Sequence, residues 1–192
     1  LHMALNKKEQ EEDEESDVKT TFVKMSVIRL HTVMKLYGGQ RHPRLESYEE
    51  LVERGELVSI KYVPQKSTII YISHEDVGND HPDPRGDQMY HLLLLLERLQ
   101  RGAVDRTDMD AFHSLLYKQN HTTKAREWKR MLDPEKTFIF YDGFCVPKEK
   151  REEGFRSIPA YIQRCDFMII LAPGCTHFDR VDSRTGRKMN LC

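Results

Sequence analysis

The stretch Ser67 to Asp76, STIIYISHED, decides the fold that this sequence predicts. β-Branched and aromatic residues run without interruption to Ile72 and then give way to a polar corner that begins at Ser73. A run this short and this apolar is typical of a strand covered on both faces, as parallel sheets require. In open α/β sheets, ligands bind outside the carboxyl ends of such strands, so the polar corner is the first candidate for a site.

Two later segments repeat this pattern, Thr137 to Asp142 (TFIFYD) and Asp166 to Ala172 (DFMIILA). Because each apolar run ends in polar or turn residues and helical periodicity separates them, the pattern predicts an α/β fold, a flavodoxin-like parallel sheet wound by helices. We expect residues 67–73, 137–142 and 166–172 to lie side by side, to point the same way and to gather their polar ends along one rim. The connecting segments are predicted as helices over 88–101, 108–118, 123–132 and 157–165, with a charged loop over 143–156.

The chain before the first strand divides into a lead over 1–19 and a helical extension with an edge strand over 20–66. Leu1 to Met3 resemble a vector-derived remnant, and residues 7–17 form a charge block without an apolar face. Apolar residues at helical spacing predict an amphipathic helix from Thr20 to Tyr37. That helix could pack on the domain or on a second copy of the chain, and we favour packing within the chain.

Two further elements are predicted before the central strand. Ser47 with Glu50 three residues later forms a capping-box pattern that begins a short helix, which stops at Gly55. The alternation from Leu57 to Val63 indicates an edge strand closed by Pro64.

Charge and hydropathy exclude several classes of protein. With 30 basic and 31 acidic residues, the net charge of −1 provides no overall field for nucleic acid or anionic membrane. The longest apolar run, Leu92 to Leu96, is far shorter than the roughly 20 residues that span a bilayer. We therefore expect a cytoplasmic protein with neither nucleic acid nor membrane as a partner.

The cysteines and the acidic post-strand loop give little support to a disulfide framework or a metal site. The four cysteines form no CxxC pair, which favours buried thiols. The loop after the first strand is rich in Asp, Asn, Gly and Pro, which is typical of a solvated turn, and no metal site is predicted there. Its potential ligands are His74, Asp76, Asp80, His81, Asp83 and Asp87.

Three segments together resemble the TIR family, the Toll and interleukin receptor fold. They are STIIYISHED, TFIFYDGFCVPKEKREEGF and SIPAYIQRCDFMIILAPG, and the resemblance, closest to TIR-like domains of protist and microbial proteins, covers about Ser67 to Gly174. It implies a TIR-like domain over 67–192. Because only three strands and one edge candidate are predicted, where about five are usual, this domain is expected to be incomplete or completed from outside the chain.

The resemblance implies two activities. TIR domains assemble with one another in signalling, and a subset hydrolyse NAD. We expect an assembly domain whose partners are other TIR-like domains or itself, with no cofactor required. The alternative is an NAD glycohydrolase, with NAD as substrate, whose catalytic glutamate lies beyond this chain, because no Trp-Cys-like segment with a glutamate follows residues 166–172.

The candidate site residues follow from the chemistry of NAD cleavage and from the family resemblance. Cleavage of a glycosidic bond to nicotinamide requires a carboxylate, and within this chain Glu75 is the best substitute for the missing catalytic glutamate. The resemblance further implies a nucleotide site formed by Ser73, His74, Asp142, Gly143, Phe144 and Arg156.

Overall fold

The computed structural model describes residues 23–108 and 122–190. It contains one five-stranded sheet and two small two-stranded antiparallel sheets. The order of the large sheet is β2–β1–β6–β3–β7. Its strands are β1 (Ser26–Arg29), β2 (Leu57–Ser59), β3 (Thr68–His74), β6 (Thr137–Tyr141) and β7 (Phe167–Leu171). The strands of the small sheets are β4 (Arg106–Asp108) with β5 (Thr122–Lys124), and β8 (Thr176–Val181) with β9 (Lys188–Asn190).

The three predicted strands lie side by side and run parallel, as expected. β3 is the central one: Ile70 pairs with Ile139 of β6 on one side and with Phe167 of β7 on the other. β1 joins β6 antiparallel, and β2 joins β1. The prediction of an α/β, flavodoxin-like fold is confirmed.

Among the described residues, six helices connect and cover these strands. Their bounds are α1 (Leu30–Tyr37), α2 (Tyr48–Glu53), α3 (Asp87–Arg101), α4 (Ala125–Met131), α5 (Asp142–Cys145) and α6 (Arg151–Ile162), and 3-10 turns occur at Ile60–Tyr62 and Lys148–Lys150. α3 and α4 connect β3 to β6, while α5 and α6 connect β6 to β7. Trp128 of α4 contacts Phe167 on one face of the sheet, and Tyr161 of α6 contacts Phe140 on the other. The sheet is therefore wound on both faces.

The helix predicted over 20–37 is wrong over residues 23–29, and residues 20–22 lie outside the described part of the chain. Ser26–Arg29 forms β1, and only Leu30–Tyr37 is helical. Val27 and Ile28 are both fully buried, which a strand between two neighbours permits because its successive side chains point to opposite faces. The sheet therefore reaches five strands within the described residues. α1 packs against α3 within the chain, as favoured from the sequence.

The charged segment over 143–156, predicted as a loop, is largely helical. α5 follows β6 directly, and α6 begins at Arg151 rather than at Ser157, with Pro159 inside it. Glu152 and Glu153 occupy its first turn, where the helix dipole stabilises negative charge. The charged residues of this segment therefore belong to the solvent-exposed face of a helix and do not indicate a loop.

The helix ends follow the sequence signals. In α2, Ser47 Oγ accepts from the backbone N–H of Glu50 (3.2 Å), and the Glu50 carboxylate accepts from the N–H of Ser47 (2.7 Å). α3 ends at Gly102, whose φ of 72° few other residues adopt. The edge strand predicted from Leu57 to Val63 is shorter, since the 3-10 turn replaces it after Ser59. The helix predicted over 108–118 and the lead over 1–19 lie outside the described residues, except that Asp108 ends β4.

The prediction that residues 166–172 form a strand buried on both faces is wrong for one face. β7 is at the edge of the sheet, and Met168 and Ile170 are 49% and 69% exposed. The other three side chains of the strand point toward the α4 side and are better covered. The apolar composition correctly predicted a strand, but it did not reveal that no helix of residues 23–108 and 122–190 covers one face of that strand.

Candidate functional site

The carboxyl ends of β3, β6 and β7 meet at one rim of the sheet. In chain order these are the first, second and third parallel strands, and their spatial order is second, first, third. This is the flavodoxin-like arrangement, in which the ligand crevice lies between the first and third strands. In this molecule that position lies between the ends of β3 and β7.

A cavity of about 220 Å³ occupies this position, and we name it the switch-point cavity. Its walls are mostly apolar on the β7 side and polar on the β3 side. The lining residues are Ser73, His74, Glu75, Val77, Gln88, Ile170, Leu171, Ala172, Pro173 and Cys175. A pocket with an apolar wall and a few polar groups is the usual form of a small-molecule site.

Gln88 lines the switch-point cavity and carries an unsatisfied buried acceptor. The residue is 2% exposed, and its Nε2 donates a hydrogen bond to the carbonyl oxygen of Glu75 (2.6 Å). Its Oε1 is buried and has no hydrogen-bond partner among the described residues. Because a buried acceptor without a donor is costly, this position lowers the stability of the rim.

A buried ion pair joins the ends of β3 and β6. His74 Nε2 lies 2.5 Å from Asp142 Oδ1, with the two side chains 2% and 14% exposed. His74 Nδ1 lies 3.3 Å from the carbonyl oxygen of Glu75. A carbonyl oxygen and a carboxylate both only accept, so both ring nitrogens must donate, and the network assigns His74 as an imidazolium.

The surroundings of His74 are consistent with that charge. Burial lowers the pKa of the imidazole, but the hydrogen bond and charge of Asp142, with the Glu75 carbonyl and the charge of Asp76, outweigh burial and raise the pKa above its ordinary value. The ring also stacks on Tyr141 at a centroid distance of 4.2 Å. An imidazolium that donates hydrogen bonds from both ring nitrogens is a poor general base. We therefore assign His74 the role of holding the strand ends of the rim together and of providing a fixed positive charge.

A second ion pair closes the rim further out. Arg151 Nη2 lies 2.6 Å from both carboxylate oxygens of Asp76, which ties α6 to the loop after β3. A second cavity of about 190 Å³, the outer cavity, lies on the β6 side of the rim. The outer cavity is lined by 44–50, 80–82, Asp142, Gly143, Val146, Lys148 and Arg151.

The structure brings five of the seven predicted site residues to this rim, but not to one cavity. Ser73, His74 and Glu75 line the switch-point cavity, whereas Asp142 and Gly143 line the outer cavity. The hydrogen bond between His74 and Asp142 joins the residues that line the two cavities. The predicted nucleotide site is therefore divided by an ion pair that the sequence did not reveal.

Phe144 and Arg156 lie elsewhere. Phe144 is fully buried, and its ring stacks on Tyr141 (4.9 Å) and on Tyr37 (6.3 Å), so it contributes to the core. Arg156 is exposed on α6 and lines neither cavity. The family resemblance placed both of them at the site, next to a predicted loop over 143–156, and the helices that form there keep both of them out of the two cavities.

Sequence reasoning missed Gln88, although a signal for it existed. Gln88 precedes Leu92 by four residues, so the two share the buried face of α3. A polar residue on a buried face in the first turn of the helix after β3 lies next to the strand end. That position is typical of side chains that contact ligands at the rim.

The acidic loop after β3 has a structural role. Asp83 is 1% exposed, and its Oδ2 accepts a hydrogen bond from the backbone N–H of Met89 in the first turn of α3 (2.9 Å). Burial raises the pKa of its carboxyl group. Among residues 23–108 and 122–190, no group of three or more His, Cys, Asp or Glu side chains is arranged to hold a metal ion. In the same residues, no helix is long and apolar enough to cross a membrane.

The fold and the rim together define a flavodoxin-like α/β domain with a candidate ligand site at its switch point. No family model matches the chain, and neither a curated protein nor a solved structure is significantly similar to it.

Proposed function

We propose that the chain is a TIR-like domain that acts by assembly, with copies of itself or with related domains as partners. One observation carries the proposal: β7 ends the sheet with a five-residue strand whose Met168 and Ile170 are exposed. Exposed apolar side chains on an edge strand are typical of surfaces that pair with another chain. The three segments that resemble the TIR family are adjacent parallel strands, which supports the same proposal.

Sedimentation velocity of the wild-type chain between about 1 and 200 µM tests assembly. A weak homotypic interface in this range corresponds to roughly 5 to 8 kcal/mol of binding free energy. We expect the weight-average mass to rise with concentration. A mass that stays at one chain throughout the range would contradict assembly by self-association.

The second candidate function is NAD hydrolysis, and the switch-point cavity favours it. Glu75 is exposed and lines this cavity, so its carboxylate is available to a bound ligand. Stabilising the positive charge that develops at the ribose carbon during loss of nicotinamide needs such a group.

Incubation with NAD, followed by measurement of nicotinamide release, tests the second candidate. If Glu75 provides the carboxylate, Glu75→Gln should reduce release at least about 100-fold. Glu153→Gln is the matched control, because Glu153 is exposed on α6 and lines neither cavity. Absence of release by the wild-type chain, or equal release by both variants, would count against hydrolysis at this site.

A further inference from the structure

The outer edge of β7 is an open strand edge. Among the described residues, β7 pairs with β3 alone, so its other side presents unpaired backbone groups. The strand sequence FMIIL contains no charged residue and no proline. Charges and prolines are the usual means by which edge strands avoid pairing with other chains, and β7 has neither.

The two exposed side chains of β7 lie on one face of the sheet. Met168 pairs with Tyr71 of β3, and Ile170 pairs with Ser73. Tyr71 stacks on Phe140, whose ring contacts Tyr161 of α6, so α6 covers this face over β3 and β6. The cover does not extend to β7, where Met168 and Ile170 are exposed.

The opposite edge of the sheet differs in length and in the exposure of its side chains. β2 has three residues, all partly covered, and a 3-10 turn follows it. Short edge strands discourage pairing with a second chain. Of the two edges of this sheet, only β7 offers an extended apolar template.

The sequence of β7 fits a second copy of itself. In an antiparallel pair centred on Ile169, Met168 of each copy lies opposite Ile170 of the other, and both apolar pairs fall on the uncovered face. Asp166 then lies opposite Ala172, so no like charges meet along the strand. A two-fold axis through such a pair makes the contact self-complementary and closed.

We infer that β7 pairs antiparallel with β7 of a second copy of this chain, in the register centred on Ile169. The inference rests on the proposed function of assembly and names its surface and its partner. Pairing brings Met168 and Ile170 of the two copies into cross-strand contact and joins two five-stranded sheets into one.

Two charged double variants test the register. Met168→Lys with Ile170→Lys places lysine opposite lysine twice across the two-fold axis, and we expect dimer affinity to fall at least about 100-fold. Met168→Glu with Ile170→Lys places glutamate opposite lysine twice, and we expect it to dimerise at least about tenfold more tightly than the double-lysine variant. Raising the salt concentration should reduce the difference between the two variants, because both charged pairs are near the surface.

Sedimentation velocity measures the affinities, and thermal unfolding of both variants checks that the exposed substitutions leave the fold intact. Equal dimerisation by the two variants would overturn the inferred register. A wild-type chain that associates, together with a double-lysine variant that associates equally well, would overturn the β7 interface while assembly through another surface stands. A wild-type chain that stays monomeric would overturn both the β7 interface and assembly by self-association. Association with a different protein alone would also overturn the inference, because the partner would then not be a second copy of the chain.

Discussion

β6 and β7 are five-residue strands of similar apolar composition in very different surroundings. Every residue of β6 (TFIFY) is buried, whereas the residues of β7 (FMIIL) alternate between partly covered and exposed. β6 lies between β1 and β3, and β7 has a single neighbour. The burial of a strand is therefore set by its place in the sheet order, and similar apolar sequences form part of the core in one place and a partly exposed edge in the other.

The largest expected difference between the two strands concerns Phe140 of β6. Its ring is fully buried and contacts Tyr71 and Tyr161 on the two neighbouring elements. Phe140→Ala should lower the free energy of unfolding by about 3–5 kcal/mol, because it removes buried surface and leaves a cavity. Urea unfolding measures the loss, and Met168→Ala in β7 is the control, with an expected cost below about 1 kcal/mol. Similar losses at both positions would contradict the comparison.

The next effect lies at the rim, where β6 ends in a buried ion pair and β7 does not. Asp142→Asn leaves the His74 imidazolium without its carboxylate. At pH 6 we expect the free energy of unfolding to fall by about 3 kcal/mol. The pKa of His74 is raised in the folded chain, so the stabilisation is fully present below the unfolded value of about 6.5. This stabilisation is lost as the pH rises through the raised pKa of His74 in the folded chain. The difference in free energy of unfolding between wild type and Asp142→Asn should therefore narrow toward pH 9.

Unfolding at both pH values measures the difference in free energy of unfolding between wild type and variant, and Glu97→Gln is the control. Glu97 also pairs with a cation, Arg101, at 3.3 Å, but the two side chains are 27% and 76% exposed. Exposed pairs of this kind are worth at most about 1 kcal/mol, and arginine does not titrate in this range. A gap for Asp142→Asn that stays constant or widens toward pH 9 would show that His74 is not charged.

A smaller effect is expected at the glycines that follow the two strands. A Cβ at Gly143, in α5 just after β6, would lie 2.4 Å from Tyr141 Cε1 and 2.9 Å from Pro82 Cγ. Gly143→Ala should therefore cost about 1–3 kcal/mol, since the crowded rim must shift. Gly174, beyond β7, has no heavy atom within 4 Å of such a Cβ, and Gly174→Ala should stay within about 0.5 kcal/mol. Thermal unfolding of the two glycine variants measures this difference between the packed surroundings of Gly143 and the open surroundings of Gly174.

The parts of the fold that the sequence predicted correctly depend on local chemistry. Apolar runs identified β3, β6 and β7, the Ser47–Glu50 box began α2, and Gly102 ended α3. The errors arose where the neighbours of a segment decide its structure. Val27 and Ile28 fit a helical pattern equally well, and only the position of β1 between β2 and β6 explains why both are buried.

The candidate site was predictable as a rim but not as a set of contacts. His74 and Asp142 each follow a predicted strand, so their presence at one edge followed from the parallel sheet. Their contact depends on the register that pairs Ile72 with Tyr141, and the spacing of residues in the sequence contains no information about register. The division of the rim into two cavities depends on the same contact.

The smallest expected effect on stability sharpens the comparison most, because it separates folding from assembly at a single residue. Ile170 is 69% exposed, and Ile170→Thr keeps a β-branched side chain in the strand. Measured at about 1 µM, where the chain is expected to be monomeric, its free energy of unfolding should stay within about 0.5 kcal/mol of wild type. At about 200 µM, the same variant should show a clearly lower average mass than wild type, since each dimer loses two apolar contacts across the strand pair. A large loss of stability in the dilute monomer would mean that Ile170 belongs to the core of the single chain, and the contrast between β6 and β7 would then be wrong.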